Sequence, residues 1–225
     1  MYFSKIEFIP SQWQRMVRVL NQGLFQEHQM IWNLLPADAQ ATRDFLYRRD
    51  DSQAVPFYYL LSKRRPLESS DLLTCKTLRY QPQLVVGERL QFDLRVNAVK
   101  TYKETSGVKQ RKRRDIVEAK VDFFKAQFSN PQERPSSDWI RYTAAQEWLS
   151  YQGQKGGFTL TTLSVDNWQA HTVIKPQDPN RRRFTSLDIK GELQVTDVES
   201  FETLLFSGLG RAKAFGCGLL LIKRV

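Results

Sequence analysis

Apolar positions along the first third of the chain switch between the period of a strand and that of a helix. Residues 2–9 mix aromatic and β-branched side chains and end at Pro10, whereas Met16, Val17 and Leu20 recur at helical spacing. The full pattern predicts a strand at 2–9, a helix from 13 to about 23, strands at 45–48 and 57–62, a short helix at 68–71 and a strand at 78–84. This is the strand and helix order of a ferredoxin-like unit.

The remaining residues repeat that order with one additional helix. The pattern predicts a strand at 89–99, a loop at 100–115, helices at about 117–128 and 139–151, strands at 158–174 and 184–195 joined by a hairpin tip at 175–183, a helix at 198–206 and a strand at 219–222. We therefore expect an α+β fold of two tandem ferredoxin-like (RRM-like) βαββαβ domains, at residues 1–86 and 87–225.

Charge and composition favour a polyanionic partner. Lys and Arg number 34 against 24 acidic residues, so the net charge is +10, and nucleic acid is the usual partner of such a chain. No apolar run approaches the ~18 residues that a membrane span needs, which predicts a cytoplasmic protein without membrane association. With two cysteines far apart and two histidines, neither a metal site nor a disulfide framework is supported, and no cofactor is expected.

A glycine-rich segment near the C-terminus is the most unusual local feature. It holds four glycines and two cations: Gly208, Gly210, Arg211, Lys213, Gly216 and Gly218. Glycine lets a backbone approach an anion closely, but it also serves any turn that needs positive φ, so both interpretations stand. The segment precedes a strand instead of opening a helix, which excludes a Walker A or Rossmann phosphate loop.

Four stretches spread over the chain resemble one family. They are MYFSK at residues 1–5, HQMIWNLLP at 28–36, LRVNAVK at 94–100 and GLGRAKAFGCGLL at 208–220. They resemble the CasE family, the CRISPR repeat-processing endoribonucleases of type I-E Cascade within the RAMP superfamily. The resemblance implies tandem ferredoxin folds, cleavage of CRISPR repeat stem-loops, and retention on the crRNA hairpin beside other Cascade subunits.

The resemblance implies that His28 is the catalytic histidine. Family members place a tyrosine three residues earlier, where this chain has Phe25. A phenyl ring cannot transfer a proton, so the second acid or base is open among Tyr2, Tyr47 and a nearby lysine. Spacing alone favours a histidine packed under the first helix, and the resemblance reverses that preference. The segment at residues 21–25 offers a competing register of the motif, without the histidine.

RNA cleavage by such a site would need no metal, because RNA carries its own nucleophile. The 2′-hydroxyl attacks the adjacent phosphate, and one histidine can serve as general base or acid near neutral pH. The expected products are a 2′,3′-cyclic phosphate and a 5′-hydroxyl.

Several basic residues are predicted to hold the RNA. Arg181, Arg182 and Arg183 at the expected hairpin tip suit the phosphates of an RNA stem. The loop at 109–114 is either solvated or a second RNA contact, and His171 is expected to be structural. The resemblance implies further contacts at Gln29, Arg95, Lys100, Arg211 and Lys213. The alternative function is a catalytically inactive hairpin-binding or structural RAMP subunit.

Overall fold

Two four-stranded antiparallel sheets form the framework of the chain. The structure, a computed structural model, describes residues 1–37, 43–103, 111–175 and 178–225. The strands are β1 Tyr2–Phe8, β2 Phe45–Asp50, β3 Phe57–Ser62, β4 Leu73–Arg79, β5 Arg89–Val96, β6 Val99–Lys103, β7 Arg111–Asp115, β8 Phe158–Lys175, β9 Asp178–Val195 and β10 Leu220–Arg224. The helices are α1 Trp13–Asn21, α2 Leu24–Trp32, α3 Ile116–Gln127, α4 Ser137–Lys155 and α5 Val198–Ser207.

The two sheets share one topology. Their strand orders are β2-β3-β1-β4 and β10-β5-β9-β8, so the first strand of each half lies in the interior of its sheet. All neighbouring strands within the two sheets are antiparallel. This is the arrangement of a ferredoxin-like sheet, and the predicted α+β fold of two such units is confirmed. The division at residues 86 and 87 stays a prediction.

Each sheet buries one face under helices, and the opposite faces of the two sheets meet. The N-terminal core lies between α1, α2 and the first sheet, with Ile6, Ile31 and Leu60 fully buried. The C-terminal core packs α3, α4 and α5 on the second sheet. Between the sheets, Leu46, Leu61 and Leu219 form a small apolar cluster. Beside it the Arg48 guanidinium lies 2.7 Å from the Asp93 carboxylate, joining β2 to β5.

Polar side chains define where three helices begin. Asp115 accepts hydrogen bonds from the amides of Val117 and Glu118, and so caps α3. Ser136 caps α4 and Asp197 caps α5 in the same way. The caps satisfy amides that have no partner inside the helix.

Five local predictions are wrong or incomplete. No helix follows Pro66: residues 68–75 form a tight turn in which the Cys75 amide donates to the Glu68 carbonyl at 2.8 Å. For this reason β4 begins at Leu73 and not at 78. The predicted helix at 13–23 is followed by a separate one, α2, because Gly23 at φ 84° interrupts the chain.

The other two corrections concern basic segments. The predicted loop at 100–115 contains two paired strands, since Val99 lies opposite Asp115 and Lys100 opposite Arg114. Arg181, Arg182 and Arg183 lie within β9 and not at a tip, with Arg183 opposite Thr172. Residues 176–177 of the predicted tip, and Lys109, lie outside the described residues.

None of the helices in the described ranges combines the length and the apolar character that crossing a membrane requires.

Candidate active site

His28 lies where three elements converge. It is on α2, and its half-buried imidazole stacks on Phe45 of β2 at 5.8 Å between ring centroids. Phe215 of the glycine-rich segment meets the same imidazole edge-on at 6.2 Å. Trp32, one turn further along α2, packs at 5.8 Å. The fold therefore brings the predicted histidine and the glycine-rich segment together, although they are near opposite ends of the chain.

The imidazole of His28 is held in its neutral form. Its Nδ1 atom is buried and has no hydrogen-bond partner among the residues that the structure describes. Burial, followed by the positive charges of Arg43 and Lys175, lowers the pKa of His28 from 6.5 to about 4. At neutral pH the ring therefore carries an available lone pair and can accept a proton.

Three half-buried cations lie in this part of the fold, namely Arg43, Lys175 and Lys213. The charges of Arg43 and Lys175 act on His28, and the charge of Arg43 also acts on Lys213. Lys175 closes β8, and its ammonium lies 5.8 Å from the centre of the Phe25 ring. Burial, with a contribution from Arg43, lowers the pKa of Lys213, whose ammonium donates to the Ser207 carbonyl at 2.7 Å. Within the described ranges none of the three forms an ion pair with a carboxylate. The positive potential of such a cluster favours binding of an anion.

Tyr47, one candidate for the second proton-transfer group, has a structural role. Its hydroxyl donates to the Ala214 carbonyl at 3.2 Å and ties β2 to the glycine-rich segment. Burial raises the pKa of Tyr47 well above its ordinary value. Tyr2 lies on β1, opposite Ser62 and Arg79. Lys175 is a lysine whose charge acts on His28.

The glycine-rich segment packs against the protein itself. A Cβ atom added to Gly210, at φ 66°, would lie 2.5 Å from a methyl carbon of Val96 and 2.6 Å from the Asn97 carbonyl oxygen. The Arg211 amide donates to that carbonyl at 3.0 Å, and the Gly218 amide donates to the Arg95 carbonyl at 2.7 Å. Packing within the protein therefore already requires glycine at position 210. A phosphate contact by the segment stays a prediction.

The remaining predicted RNA-binding residues occupy different surfaces. Gln29 is half-buried next to His28, and Lys100 is exposed on β6. Arg95 is bound to Asp188 through two hydrogen bonds of 2.7 and 3.0 Å, so its charge is already paired. Exposed arginines lie on β7 and β9: Arg113, Arg114, Arg181, Arg182 and Arg183.

His171 has the contacts of a packing residue, as expected. Its Nε2 lies 2.8 Å from the Ser186 hydroxyl, and its ring stacks on Phe184 at 4.8 Å. Phe184 in turn stacks on Phe215 at 5.8 Å. A continuous row of rings thus supports the side of Phe215 that β9 faces.

Sequence reasoning missed Arg43 and Lys175 as residues of this site. Arg43 lies in none of the quoted motifs, and Lys175 is the first residue of the predicted hairpin tip, where the three arginines drew the attention. Only the pairing of strands and the packing of α2 place them near His28. In the part of the chain that the structure describes, no group of three or more His, Cys, Asp or Glu side chains could hold a metal ion.

Comparison with known proteins supports the family assignment. The family model described as "CRISPR associated protein" matches residues 1–224. The chain belongs to this family. Its relatives include the CRISPR system Cascade subunit CasE of Escherichia coli K12, which is 26% identical over 222 residues, or 98% of each chain. The resemblance to the CasE family is confirmed.

Solved structures of the family share the fold. CRISPR endoribonuclease Cse3 bound to a 19-nucleotide RNA aligns with a TM-score of 0.72 and 19% identity, covering 99% of this chain and all of that one. Cas6e from Escherichia coli K-12 aligns with a TM-score of 0.65 and 23% identity over the whole of both chains. At these identities the likeness establishes the fold.

Proposed function

We propose that this chain is a metal-independent endoribonuclease that cleaves CRISPR repeat stem-loops in precursor transcripts. We propose further that it stays on the mature crRNA as a Cascade subunit. The names of its relatives, a Cascade subunit and an endoribonuclease bound to RNA, support this assignment. The observation that carries it is a neutral imidazole, that of His28, beside cations that have no carboxylate partner among the described residues.

His28 is the proton acceptor in this mechanism. Its neutral ring takes the proton of the RNA 2′-hydroxyl as the oxygen attacks the adjacent phosphorus, and the bond to the 5′-oxygen breaks. The products are a 2′,3′-cyclic phosphate and, once the leaving oxygen is protonated, a 5′-hydroxyl. Because the substrate supplies the nucleophile, this route requires no metal.

In this mechanism Arg43 and Lys175, whose charges act on His28, and Lys213, which is influenced by Arg43, would hold the scissile phosphate. Their charges would stabilise the additional negative charge that develops on the phosphate oxygens during attack. A bound phosphodiester would also offset the charges of Arg43 and Lys175 that lower the pKa of His28. RNA binding should therefore raise the pKa of His28 toward neutrality, where a general base is most effective.

The RNA stem would lie on the basic strands near this site. Arg181, Arg182 and Arg183 on β9 belong to the same hairpin as Lys175. Lys100 and Arg211 would extend the contact surface, and Gln29 lies next to His28. Arg95, which is paired with Asp188, would shape the surface and would not grip phosphate itself.

One observation supports the inactive-subunit alternative. Phe25 lies next to Lys175 at the position where the family's tyrosine is expected, and its ring cannot exchange a proton. On that alternative the chain would bind repeat hairpins, or line guide RNA, without cutting.

A cleavage assay distinguishes these functions. End-labelled repeat hairpin is incubated in EDTA with the wild-type protein, His28→Ala and, as a matched control, His171→Ala. We expect wild-type cleavage with a cyclic-phosphate end, and a decrease of about 10²- to 10⁴-fold in the single-turnover rate for His28→Ala. Hairpin affinity should be unchanged. Equal cleavage by wild type and His28→Ala would rule out the assignment, and intact RNA with the wild type would support the inactive subunit.

A further inference from the structure

Glu27, the residue before His28 on α2, has a buried carboxylate. Only 2% of the residue is exposed. The Tyr58 hydroxyl on β3 donates to one carboxylate oxygen at 2.6 Å. The Arg49 guanidinium on β2 donates to the other oxygen at 3.2 Å. The carboxylate thus bridges α2 to two strands of the N-terminal sheet.

These contacts add a directed polar link to a helix that is otherwise held by apolar packing, chiefly of Ile31 in the N-terminal core. α2 is nine residues long, and its N-cap residue, Gly23, offers no side-chain cap. In the described ranges, Glu27 makes the only side-chain hydrogen bonds from α2 to other elements. A buried carboxylate is tolerated only when its partners compensate for lost hydration. The need to keep both partners therefore constrains the position of α2 on the sheet.

The orientation of His28 depends on that position of α2. The buried Nδ1 of His28 has no hydrogen-bond partner in the described part of the chain, and the ring is in contact with other rings: Trp32, Phe45, Tyr47 and Phe215. Ring contacts of about 6 Å permit rotation and sliding more readily than a directed hydrogen bond does. The position of the imidazole relative to Arg43 and Lys175 therefore follows the position of α2.

We propose that Glu27 is a positioning residue for His28. The bridge from Glu27 to Tyr58 and Arg49 sets how α2 lies on the sheet, and through it where the imidazole sits in the site. The catalytic consequence rests on the proposed function of His28, whereas the structural coupling does not.

Two variants and one control test the coupling. Glu27→Gln removes the charge opposite Arg49 and could unfold the protein. Tyr58→Phe removes one hydrogen bond and leaves the charge pair, so it provides a second variant. Tyr59→Phe is the matched control, because it makes the same chemical change at the next residue of β3, where the ring packs on Phe3 and Phe57 outside the core that holds α2.

The measurement is a pH titration of the two imidazole signals by NMR in the untagged full chain. The protein has only two histidines, and His171→Gln assigns the signals. In Tyr58→Phe and Glu27→Gln we expect the pKa of His28 to rise from about 4 toward 6.5 as the ring gains water, while that of His171 stays constant. Tyr59→Phe should match the wild type.

Single-turnover cleavage provides the second readout, at a temperature where melting curves show every variant folded. A displacement of the imidazole by about 1 Å should lower the rate constant about 10- to 100-fold without changing hairpin affinity. Lowered melting temperatures with an unchanged His28 titration and an unchanged rate would overturn the proposal. If His28→Ala cleaves normally, the proposed function fails, and the titration still decides whether Glu27 positions His28.

Discussion

At the scale of single residues, the protonation of His28 links stability to pH. The pKa of His28 is about 4 in the folded chain and near 6.5 when unfolded, so the unfolded state binds more protons between these values. Its contribution to stability is complete above pH 6.5 and is lost as pH falls toward 4. Because the ring is partly exposed, we expect about 1 kcal/mol, which is less than the full shift would imply.

The measurement is thermal unfolding of the wild type and His28→Gln between pH 7 and 4. The melting temperature of the wild type should fall by about 2–4 °C more than that of the variant over this range. Parallel curves for the two proteins would show that His28 titrates normally in the folded state.

The sequence identified His28 and the two cations of the glycine-rich segment, but not the residues that tune them. His28 lies in a motif that can be recognised along the chain. Arg43 and Lys175 act through proximity, which only the packing of α2 against β2 and β8 creates. A glutamate on a helix is usually exposed, and the burial of Glu27 follows from the partners that β2 and β3 supply. Such long-range charge pairing has no local signature.

At the scale of elements, the glycine-rich segment should not tolerate a side chain at position 210. Alanine at Gly210 would meet positive φ and also the Val96 methyl carbon at 2.5 Å. Gly87, at φ 86°, has a similar conformation, but its nearest neighbour would be 4.0 Å away, so Gly87→Ala is the matched control. We expect Gly210→Ala to lower the free energy of unfolding by about 1–3 kcal/mol more than Gly87→Ala. Urea unfolding measures both, and equal decreases would show that the segment can move aside.

The basic end of the β8–β9 hairpin should control the salt dependence of RNA binding. Arg181, Arg182 and Arg183 are exposed on β9. Replacing all three with alanine should reduce the slope of log affinity against log salt by about 0.7–0.9 for each phosphate that the arginines neutralise in the wild type. Arg15 and Arg18, exposed on α1, are the control pair. A slope that changes as much in the α1 variant would place the RNA elsewhere.

Elements could be predicted where an apolar pattern extended along the whole element. Predictions failed where a turn determined the structure. The strands at 57–62 and 158–174 and the helix α4 have extended patterns, and their observed bounds differ little from the predicted ones. The false helix at 68–71 came from a proline followed by acidic and serine residues, a composition that also suits the tight turn found there. α2 was missed because Gly23 separates it from α1 without a change in apolar periodicity.

At the scale of the whole molecule, the strand order was predictable although several bounds were not. Both sheets place their strands as a ferredoxin-like unit requires, even though β4 begins earlier than expected and no helix precedes it. Topology depends on which segments are strands and on their sequence, and a shifted boundary changes neither. We propose residues 1–86 and 87–225 as the two domains. The site includes α2 from the first and the glycine-rich segment from the second, so their mutual placement matters for function.

The Arg48 to Asp93 ion pair should be a main polar contribution to that placement. The Arg48 side chain is only 10% exposed and Asp93 33%, so Asp93→Asn would leave a nearly buried guanidinium without its counter-charge. We expect the free energy of unfolding to fall by about 1–3 kcal/mol, less than the ~3–5 kcal/mol of a fully buried pair, because water reaches Asp93. Asp166→Asn is the control, since Asp166 pairs with Lys190 at the surface, where both side chains are more than 40% exposed and a decrease below about 1 kcal/mol is expected.

Urea unfolding followed by tryptophan fluorescence and by circular dichroism should give one shared transition for the wild type, and transitions that separate for Asp93→Asn as the sheets uncouple. Coincident transitions and equal decreases in the two variants would show that the apolar cluster of Leu46, Leu61 and Leu219 joins the sheets without help from the ion pair.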